Sequence, residues 1–291
     1  MNNKCWVCNS KNTFLKRKGL SANLINSSDF RVTDSKYGST LDIFECKDCS
    51  FQFCPTDVNL LKLYEKMDDP EYIETSQERL KQAKELYEKS IHFFKSDFIK
   101  TLDIGCGSGL FVKNFMDNGY DAYGLEPSKS LAQFGIKNGL NIIEGNLENM
   151  KMDKFDFISL VDVIEHVKNP SEMILKCTKI LNNGGLLLIV TPRKDSFFKF
   201  ILGFKWWHYR LAHVGYFTKK NLLDLCKKNN LNLVHDFSPS WYFPLNYILN
   251  RIFLYIPLIK NLKINLFKNI SIRLNLRDSM ALIVTKSENK L

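Results

Sequence analysis

The stretch LDIGCGSGLF, Leu102–Phe111, places an acid at the end of a short apolar run and glycine at three alternate positions after it. Alternating glycines weaken any regular element, because each loses more backbone entropy on folding than another residue would. A chain keeps them where a turn needs unusual dihedral angles or where a ligand approaches the backbone closely. The stretch and the amphipathic segment after it therefore predict a strand, a ligand-binding loop and a helix.

The acid and the glycine spacing distinguish this loop from a dinucleotide-binding loop. The third glycine of Gly105–Gly109 comes one residue early for the pattern GxGxxG. A carboxylate at Asp103 would repel a pyrophosphate and favour a cationic ligand. Glu126 ends the next apolar run at about the separation expected for a ribose-binding acid. The alternative for Glu126 is an ordinary surface acid at a strand end.

Apolar runs alternate with helical stretches from this loop to about residue 192. The runs are TLDI (101–104), AYGLE (122–126), NIIEG (141–145), FDFISLV (155–161) and LLLIVTP (186–192). NNGG after Leu181 predicts the end of the helix before the last of these runs. The alternation predicts an α/β fold in which helices cover both faces of a parallel sheet. MALIVTK (280–286) predicts one more strand.

Length, composition and charge leave several partners open. The chain has 291 residues, of which 45% are hydrophobic, and a net charge of +10. No run approaches the ~18 apolar residues of a membrane-spanning helix. The N-terminal residues lack an apolar signal region, so we expect a cytoplasmic protein. The charge fits nucleic acid, anionic lipid, a phosphorylated small molecule or a merely lysine-rich composition.

Two cysteine pairs near the N-terminus predict a metal site. CWVC and CKDC supply Cys5, Cys8, Cys46 and Cys49, and four thiolates on two tight turns match a structural, tetrahedral Zn²⁺ site. The alternative is reduced cysteine without metal in a loop-rich head. A redox role is disfavoured, because two pairs argue for one shared metal. Cys54 is a nearby fifth thiol, and three further cysteines are expected to be packing positions: Cys106, Cys177 and Cys226.

The motifs together resemble those of class I S-adenosylmethionine-dependent methyltransferases. LDIGCGSG, GLEPS, FDFISLVDVIEHVKNP and LNNGGLLLIVTP follow one another in the family's order over roughly residues 60–238. The resemblance implies a Rossmann-like sheet of seven strands, the last of them antiparallel. It also implies a cofactor that lies across the carboxyl ends of the strands.

The resemblance assigns roles in binding S-adenosylmethionine by position. The methionyl part of the cofactor would contact Asp103, Gly105, Cys106, Gly107 and Gly109. The ribose hydroxyls would contact Glu126, and the adenine would lie between Asn146 and Leu147, where the family often has an acid near the position of Asn146. Asp162 would lie near the methionyl amine and the methyl acceptor.

Two histidines are candidates for a catalytic base. Methyl transfer from a sulfonium is an in-line displacement, and a hydroxyl nucleophile benefits from a nearby imidazole. His166 follows the fourth strand, and His213 lies in the aromatic-rich stretch after the fifth. The alternative for each is a structural histidine bonded to backbone. His208, within WWHYR, is a weaker candidate.

The pattern divides the chain into five segments. They are a zinc-ribbon-like head (1–58), a helical lead-in (59–98), a cofactor-binding core (99–238), a lid or substrate insertion (239–277) and the last strand with a tail (278–291). One apolar helical stripe lies in the insertion and is stopped by Pro257: Leu245, Ile248, Leu249, Ile252, Phe253 and Ile256. Eight Lys and Arg residues lie between 245 and 291, so the stripe fits either a lid helix or a peripheral contact with anionic lipid.

The head and the core together resemble a bacterial group that includes sugar methyltransferases. The C-methyltransferases of that group usually carry Glu immediately before the histidine that corresponds to His213, as well as a long C-terminal domain. This chain has Ala212 there and ends soon after the last strand, which favours O- or N-methylation. EHVKNP also resembles the quinone-biosynthesis O-methyltransferases.

We therefore expect a methyltransferase that acts on a small molecule or glycan, in particular a surface-polysaccharide sugar or its nucleotide-linked precursor. One alternative is a zinc-headed RNA methyltransferase. It is disfavoured because the fourth motif lacks the Asn/Asp-Pro-Pro-aromatic signature of base-amine methylation. Another alternative is a cofactor-binding scaffold or membrane-surface adaptor without catalysis.

Overall fold

The structure is a computed structural model. It describes residues 4–34, 36–96, 99–147, 150, 153–256, 258, 262, 264, 266–267 and 269–286. Strands lie at β1 (Thr13–Arg17), β2 (Ile43–Cys46), β3 (Gln52–Phe53), β4 (Lys100–Ile104), β5 (Asp121–Glu126), β6 (Ile142–Glu144), β7 (Phe155–Val161), β8 (Leu181–Pro192), β9 (Gly215–Tyr216), β10 (Leu231–Phe237), β11 (Trp241–Pro244), β12 (Ser271–Leu274) and β13 (Ser279–Lys286). Helices lie at α1 (Leu60–Glu65), α2 (Pro70–Glu74), α3 (Ser76–Ile91), α4 (Leu110–Asp117), α5 (Lys129–Lys137), α6 (Pro170–Ile180), α7 (Phe197–Leu202), α8 (Lys219–Lys228) and α9 (Leu245–Phe253).

The central sheet has seven strands in the order β10-β13-β8-β7-β4-β5-β6. The five strands from β8 to β6 are parallel, whereas β13 is antiparallel to both β8 and β10. The predicted Rossmann-like sheet with an antiparallel last strand is therefore confirmed. From β4 the chain proceeds outward to β5 and β6 and then returns to β7 on the other side of β4. That reversal opens a crevice at the carboxyl ends of β4 and β7.

Both faces of the sheet are buried, because successive residues of one strand enter two different cores. In β8, Leu187 and Ile189 join a cluster with α6 and α8. Leu186, Leu188 and Val190 join a second cluster with α3 and α4. A strand covered on both sides reads as a continuous apolar run, which is why LLLIV carries no polar alternation.

The predicted lead-in over 59–98 is helical, but it is divided into three helices rather than continuous. The segment contains α1, α2 and α3, and Asp69 separates the first two. The Asp69 carboxylate accepts hydrogen bonds from the Tyr72 N–H (3.2 Å) and from the Thr33 hydroxyl (2.6 Å) and N–H (3.1 Å). Pro70 then starts α2 at the position where a missing N–H is harmless. A contact with the head thus sets this boundary.

The predicted role of NNGG is wrong. Helix α6 ends at Ile180 because Leu181 is already extended, and β8 begins there. The four residues 182–185 form an irregularity inside the strand, where the register with β7 shifts between Phe155 and Phe157. The strand is therefore longer than the predicted run.

The insertion forms a hairpin of β11 and β12 with α9 between its strands. α9 ends at Phe253, so Ile256 lies beyond it. Pro257, the predicted helix stop, lies outside the described residues, as do Lys260, Lys263, Lys268 and Lys290 of the basic tail. Within the described part of the chain, no helix is long and apolar enough to cross a bilayer.

The N-terminal head shares a sheet with the core. Strands β1, β2 and β3 form an antiparallel meander, and β3 pairs with β9, which follows β8 and α7 in the chain. Phe51 stacks within 4.8 Å of Phe217, so the two parts also share apolar packing. The head is therefore packed into the same structure as the core rather than attached as a separate unit.

Candidate active site

A cavity of about 610 Å³ lies at the carboxyl ends of the parallel strands. Its floor is the glycine loop and the ends of β5 and β7, and its sides come from α3, the head and the insertion. A crevice where the strand order reverses is the usual ligand position in an open α/β sheet. All nine residues assigned to the cofactor by sequence lie in or beside this crevice: Asp103, Gly105, Cys106, Gly107, Gly109, Glu126, Asn146, Leu147 and Asp162. Eight of them line the cavity directly, and Gly109 caps α4 behind the loop.

The glycine loop adopts the backbone geometry that its sequence predicts. Gly105, Gly107 and Gly109 have φ angles of 72°, 57° and 82°, in the left-handed region that favours glycine. At Gly107 a side chain would also collide with the hydroxyl of Tyr72, which lines the cavity. The Gly105 N–H donates to the Leu125 carbonyl at 2.7 Å, which fixes the loop against β5.

Asp103 is buried beneath this loop. Its carboxylate accepts a hydrogen bond of 2.6 Å from the Ser159 hydroxyl on β7. Burial raises the pKa of Asp103 to about 7, and the negative charge of Glu126 adds to the shift. The carboxyl group therefore lacks a cationic partner among the described residues that would hold its charge.

Glu126 is held in one orientation by two backbone donors. Its carboxylate oxygens accept from the Gly107 N–H and the Ser128 N–H, both at 2.7 Å. Burial nevertheless raises the pKa of Glu126 to about 7. Each oxygen keeps a further lone pair, so the group can still accept from a pair of hydroxyls.

Asp162 follows β7 in a left-handed conformation, with a φ of 53°. Its N–H donates to the Val190 carbonyl at 2.9 Å, and the residue lines the cavity. Burial raises the pKa of Asp162 to about 6, although His208, Arg79 and Arg210 oppose the shift. Three carboxyl groups with raised pKa values thus face one cavity. A ligand that carries a positive charge and paired hydroxyls would stabilise the ionised form of all three.

We expect the free energy of unfolding of the ligand-free protein to fall, relative to that of a Glu126→Gln variant, between pH 5 and pH 8. The pKa of the folded carboxyl, about 7, lies above its ordinary value of 4.5. The folded state therefore binds more protons than the unfolded state in this window, and it loses stability as they leave. The relative change should be about 2–3 kcal/mol.

Urea unfolding at both pH values measures this difference. Glu144→Gln is the matched control, because Glu144 is exposed and lies opposite Glu126 on the neighbouring strand. Equal pH dependence in the wild type and the Glu126→Gln variant would contradict the assigned pKa.

The far half of the cavity is lined by imidazole and carboxyl groups. Nδ1 of His166 lies 2.8 Å from the Ala212 carbonyl oxygen and 2.5 Å from the Tyr64 hydroxyl. Because a carbonyl only accepts, Nδ1 carries the proton of the neutral ring, and Nε2 keeps a lone pair. Burial lowers the pKa of His166 to about 4, so the ring is neutral at pH 7.

His213 and Glu165 adjoin His166. The rings of His166 and His213 are 4.7 Å apart, and burial lowers the pKa of His213 well below its ordinary value. Glu165 accepts from the Thr191 hydroxyl at 2.9 Å, and burial and the charge of Asp162 raise its pKa. Its second oxygen lies 3.9 Å from Nε2 of His166, and neither that oxygen nor Nδ1 of His213 has a hydrogen-bond partner among the described residues. One ligand atom from each of Glu165, His166 and His213 falls within 4.8 Å of the others, so this set could also hold a divalent cation.

His208 makes a second acid–imidazole pair, which the sequence ranked low. Its Nε2 lies 3.1 Å from the carboxylate of Asp278, which also accepts from Nε1 of Trp207 at 2.7 Å. All three residues line the cavity, and Asp278 is 3% exposed. The sequence gave no signal for Asp278, because the insertion separates it from WWHYR in the chain.

The four predicted metal ligands also come together. Sγ of Cys5 lies 3.5 Å from that of Cys49, and Sγ of Cys8 lies 3.5 Å from that of Cys46. All four sulfur atoms fall within 4.8 Å of one another. Four thiolates about 2.3 Å from one tetrahedral Zn²⁺ are about 3.8 Å apart, so the cluster has the size that zinc needs.

The two cysteine turns have the same backbone geometry. Asn9 and Ser50 each follow a CxxC pair with φ near 60° (62° and 58°). Their N–H groups donate to the carbonyls of Cys5 (3.0 Å) and Cys46 (2.9 Å). Two equivalent turns thus point four sulfur atoms toward one another, so this cluster could hold a metal ion. Cys54, Cys106, Cys177 and Cys226 are buried outside this cluster, and for the last three the sequence predicts packing positions.

Comparison with known proteins agrees with the fold. A family model described as a methyltransferase domain matches residues 78–236. A ubiquinone biosynthesis O-methyltransferase of Pelagibacter ubique is 32% identical over 149 residues, which cover 46% of this chain and 62% of that protein. The chain thus spans less than two thirds of the length of this curated relative.

Solved structures share the architecture at low identity. A SAM-dependent methyltransferase of Archaeoglobus fulgidus superposes with a TM-score of 0.52 at 16% sequence identity. The matched region covers 75% of this chain and 100% of the Archaeoglobus chain. Magnesium protoporphyrin IX methyltransferase of Synechocystis PCC 6803 superposes with a TM-score of 0.51 at 12% sequence identity. The matched region covers 72% of this chain and 84% of the Synechocystis chain. The chain has the fold of class I methyltransferases. It belongs to the methyltransferase-domain family, whose model spans more than half of its length.

Proposed function

We propose that this protein transfers a methyl group from S-adenosylmethionine to a hydroxyl oxygen of a small molecule or glycan. The observation that carries the proposal is the single cavity, which joins an acid-lined half at the glycine loop to a histidine-lined half beneath the head and the insertion. The name of the O-methyltransferase relative supports oxygen as the acceptor atom.

The cofactor would occupy the acid-lined half. Once bound, it supplies a methyl group on a positively charged sulfur. Glu126, already oriented by two backbone N–H groups, would accept from the ribose hydroxyls. Asp103 and Asp162 would stabilise the positive charge of the methionyl part, and their raised pKa values would fall as it binds. Asn146 and Leu147 would flank the adenine.

The acceptor would occupy the histidine-lined half. His166 and His213 are neutral at pH 7 and can take a proton from an acceptor hydroxyl, and His166 offers the free lone pair of Nε2. His208, oriented by Asp278, is an additional candidate base. Because each imidazole is attached to a wall of the cavity, the acceptor oxygen can be positioned in line with the methyl group.

The acceptor class is supported by the charges of the cavity wall. Arg31, Lys168, Lys176 and Arg210 line the cavity, and cations inside a pocket suit a phosphorylated or nucleotide-linked acceptor. A sugar nucleotide or a polysaccharide precursor meets that description. RNA is less well supported, because Lys176 and Arg210 are half-buried in the cavity wall rather than displayed on an open surface.

Labelled methyl transfer tests the proposal. The purified protein is incubated with methyl-labelled S-adenosylmethionine and, in parallel, extracted small metabolites, nucleotide sugars, glycans and RNA. We expect base-stable label, as in an ether, in one of the first three fractions. Label in RNA alone would establish the RNA alternative, and cofactor binding without label in any fraction would favour the adaptor without catalysis.

We expect His166→Ala and His213→Ala each to lower kcat about 10²- to 10⁴-fold, the usual contribution of a general base. The affinity for the cofactor should stay within about threefold, because both rings lie in the acceptor half. His235→Ala is the control, since His235 is exposed on β10 and stacks only on Phe93 and Phe237 among the rings described. Unchanged kcat in both variants would remove these histidines from catalysis, and a loss in His208→Ala alone would transfer the role to that residue.

A further inference from the structure

Helix α7 carries apolar residues on two opposite faces, and Lys199 is its one charged residue. Phe198 and Leu202 pack against a buried cluster of the head and core, and Phe198 lies 5.5 Å from the ring of Trp207. Phe197, Phe200 and Ile201 occupy the opposite face and are 68%, 84% and 59% exposed. An apolar helix face is normally buried in protein or lipid. The outer face of α7 is covered by none of the described residues.

Further apolar and cationic side chains surround α7. Phe204, next to α7, stacks under the guanidinium of Arg17 at 4.7 Å and is 37% exposed. The Tyr255 hydroxyl donates to the Lys205 carbonyl at 2.9 Å, which brings the end of α9 beside this segment. Several residues of α9 and the following segment are also exposed: Ile252, Leu254, Ile256, Leu258 and Leu262. Exposed apolar side chains, where they form one patch, mark an interaction site.

The sequence around this surface is rich in bases, and its nearest acid, Asp195 just before α7, is held in an ion pair by Arg193. Residues 196–205 and 245–277 include no Asp or Glu, although charged residues make up 25% of the chain. Lys205 is exposed just after α7, whereas Lys199, within α7, is half-buried and interacts with Glu45 of the head. Apolar side chains that insert at an interface, next to bases and without an unpaired acid in the two segments, match an anionic bilayer surface. An apolar protein partner would not require the absence of acids.

We propose that the outer face of α7, with Phe204, Lys205 and the end of α9, docks this protein on the surface of an anionic lipid bilayer. Phe197, Phe200 and Ile201 insert between lipid headgroups, and the lysines lie against lipid phosphates. The inward face of α7 contacts Trp207, which lines the cavity, so docking places the acceptor half of the cavity one side-chain layer from the membrane. The docking surface does not depend on which acceptor is methylated.

Vesicle flotation tests the surface with the full chain at 150 mM NaCl. The probes are extruded vesicles of phosphatidylcholine alone and of phosphatidylcholine with phosphatidylglycerol. We expect at least tenfold tighter binding to the anionic vesicles. A triple variant, Phe197→Ser, Phe200→Ser and Ile201→Ser, should lose at least tenfold of that binding, and Lys199→Glu with Lys205→Glu should remove the preference for anionic lipid.

The matched control is Leu20→Ser with Leu24→Ser, two exposed leucines of the head that should leave binding within twofold. Thermal unfolding midpoints show whether each variant is folded. Equal binding to both vesicle types, or full binding by the triple variant, overturns the proposal. A wild type that fails to bind vesicles and forms a dimer that the triple variant dissociates also overturns it, because a second copy of the chain would then cover the surface.

Discussion

Replacing Glu126 by glutamine is expected to weaken the binding of S-adenosylmethionine at least 100-fold while leaving the fold intact. The ionised carboxylate offers charged acceptors to two ribose hydroxyls, and each such hydrogen bond contributes about 1.5–3 kcal/mol. The loss of about 3 kcal/mol corresponds to the 100-fold change. In the wild type the carboxylate accepts hydrogen bonds from the N–H groups of Gly107 and Ser128. The amide of the variant would turn its N–H₂ group toward one of these donors and lose that hydrogen bond.

Calorimetric titration with S-adenosylhomocysteine and S-adenosylmethionine measures this effect. Glu144→Gln again serves as the control, and its affinity should stay within about twofold of the wild type. Asp103→Ala should abolish binding as well, because it removes the acid beneath the glycine loop. Near-native affinity in both the Glu126 and Asp103 variants would contradict the assignment of this half of the cavity to the cofactor.

The cofactor half could be predicted from sequence because its determinants are local. In LDIGCGSGLF the strand, the acid and the three glycines lie within ten residues, and the dihedral angles of the loop follow from glycine itself. The parallel sheet follows from apolar runs that enter two cores. Glu126 and Asp162 could be placed for the same reason, since each stands at the end of a recognisable strand.

The acceptor half could be predicted only in part, because distant segments build it. His166 and His213 were found from their positions after strands, but Tyr64, Glu165 and Asp278 were not assigned. Tyr64 comes from the interrupted lead-in, and Asp278 returns only after the insertion. No periodicity in one sequence reports such pairings. The break at Asp69 was missed for a similar reason, since a contact with Thr33 of the head creates it.

The joining of head and core was also beyond the sequence. Two-residue strands such as β3 and β9 carry no alternation that could be recognised, and they pair only because the head packs on α8. The Asn221 side chain of α8 donates to the Cys49 carbonyl at 2.8 Å, which ties the second cysteine turn to the core. The cysteine spacing therefore predicts the cluster of four sulfur atoms, but not that the cluster is connected to the core beside the acceptor site.

Removing the proposed zinc is expected to destabilise the whole chain. It should also lower kcat more than it lowers the affinity for the cofactor. A wild-type protein purified under reducing conditions should hold one Zn²⁺ per chain, and Cys46→Ser should hold less than about 0.2. A tetrahedral site that loses one thiolate loses most of its affinity, and the binding free energy of a structural zinc is folding free energy. We expect the unfolding midpoint to fall by about 10 °C or more.

The order of the losses follows from the connections of the head. β3 pairs with β9, and Val214, just before β9, donates from its N–H to the Glu165 carbonyl at 2.8 Å. Loss of order in the cysteine turns should therefore displace Glu165 and His213 in the acceptor half. Asp103 and Glu126 should stay in place, because β4, β5 and β7 hold them. At a temperature where Cys46→Ser remains folded, kcat should fall at least tenfold with the cofactor affinity within about threefold.

Cys54→Ser provides the matched control for this prediction. Cys54 is fully buried in the same head but lies outside the cluster of four sulfur atoms. Its replacement removes a thiol and costs about 1–3 kcal/mol for a buried hydroxyl, yet the zinc content should be unchanged. Elemental analysis by mass spectrometry separates the two variants. Zinc retained by Cys46→Ser, or absent from the wild type, would show that the head folds by packing alone, and the loss of turnover would then need a different cause.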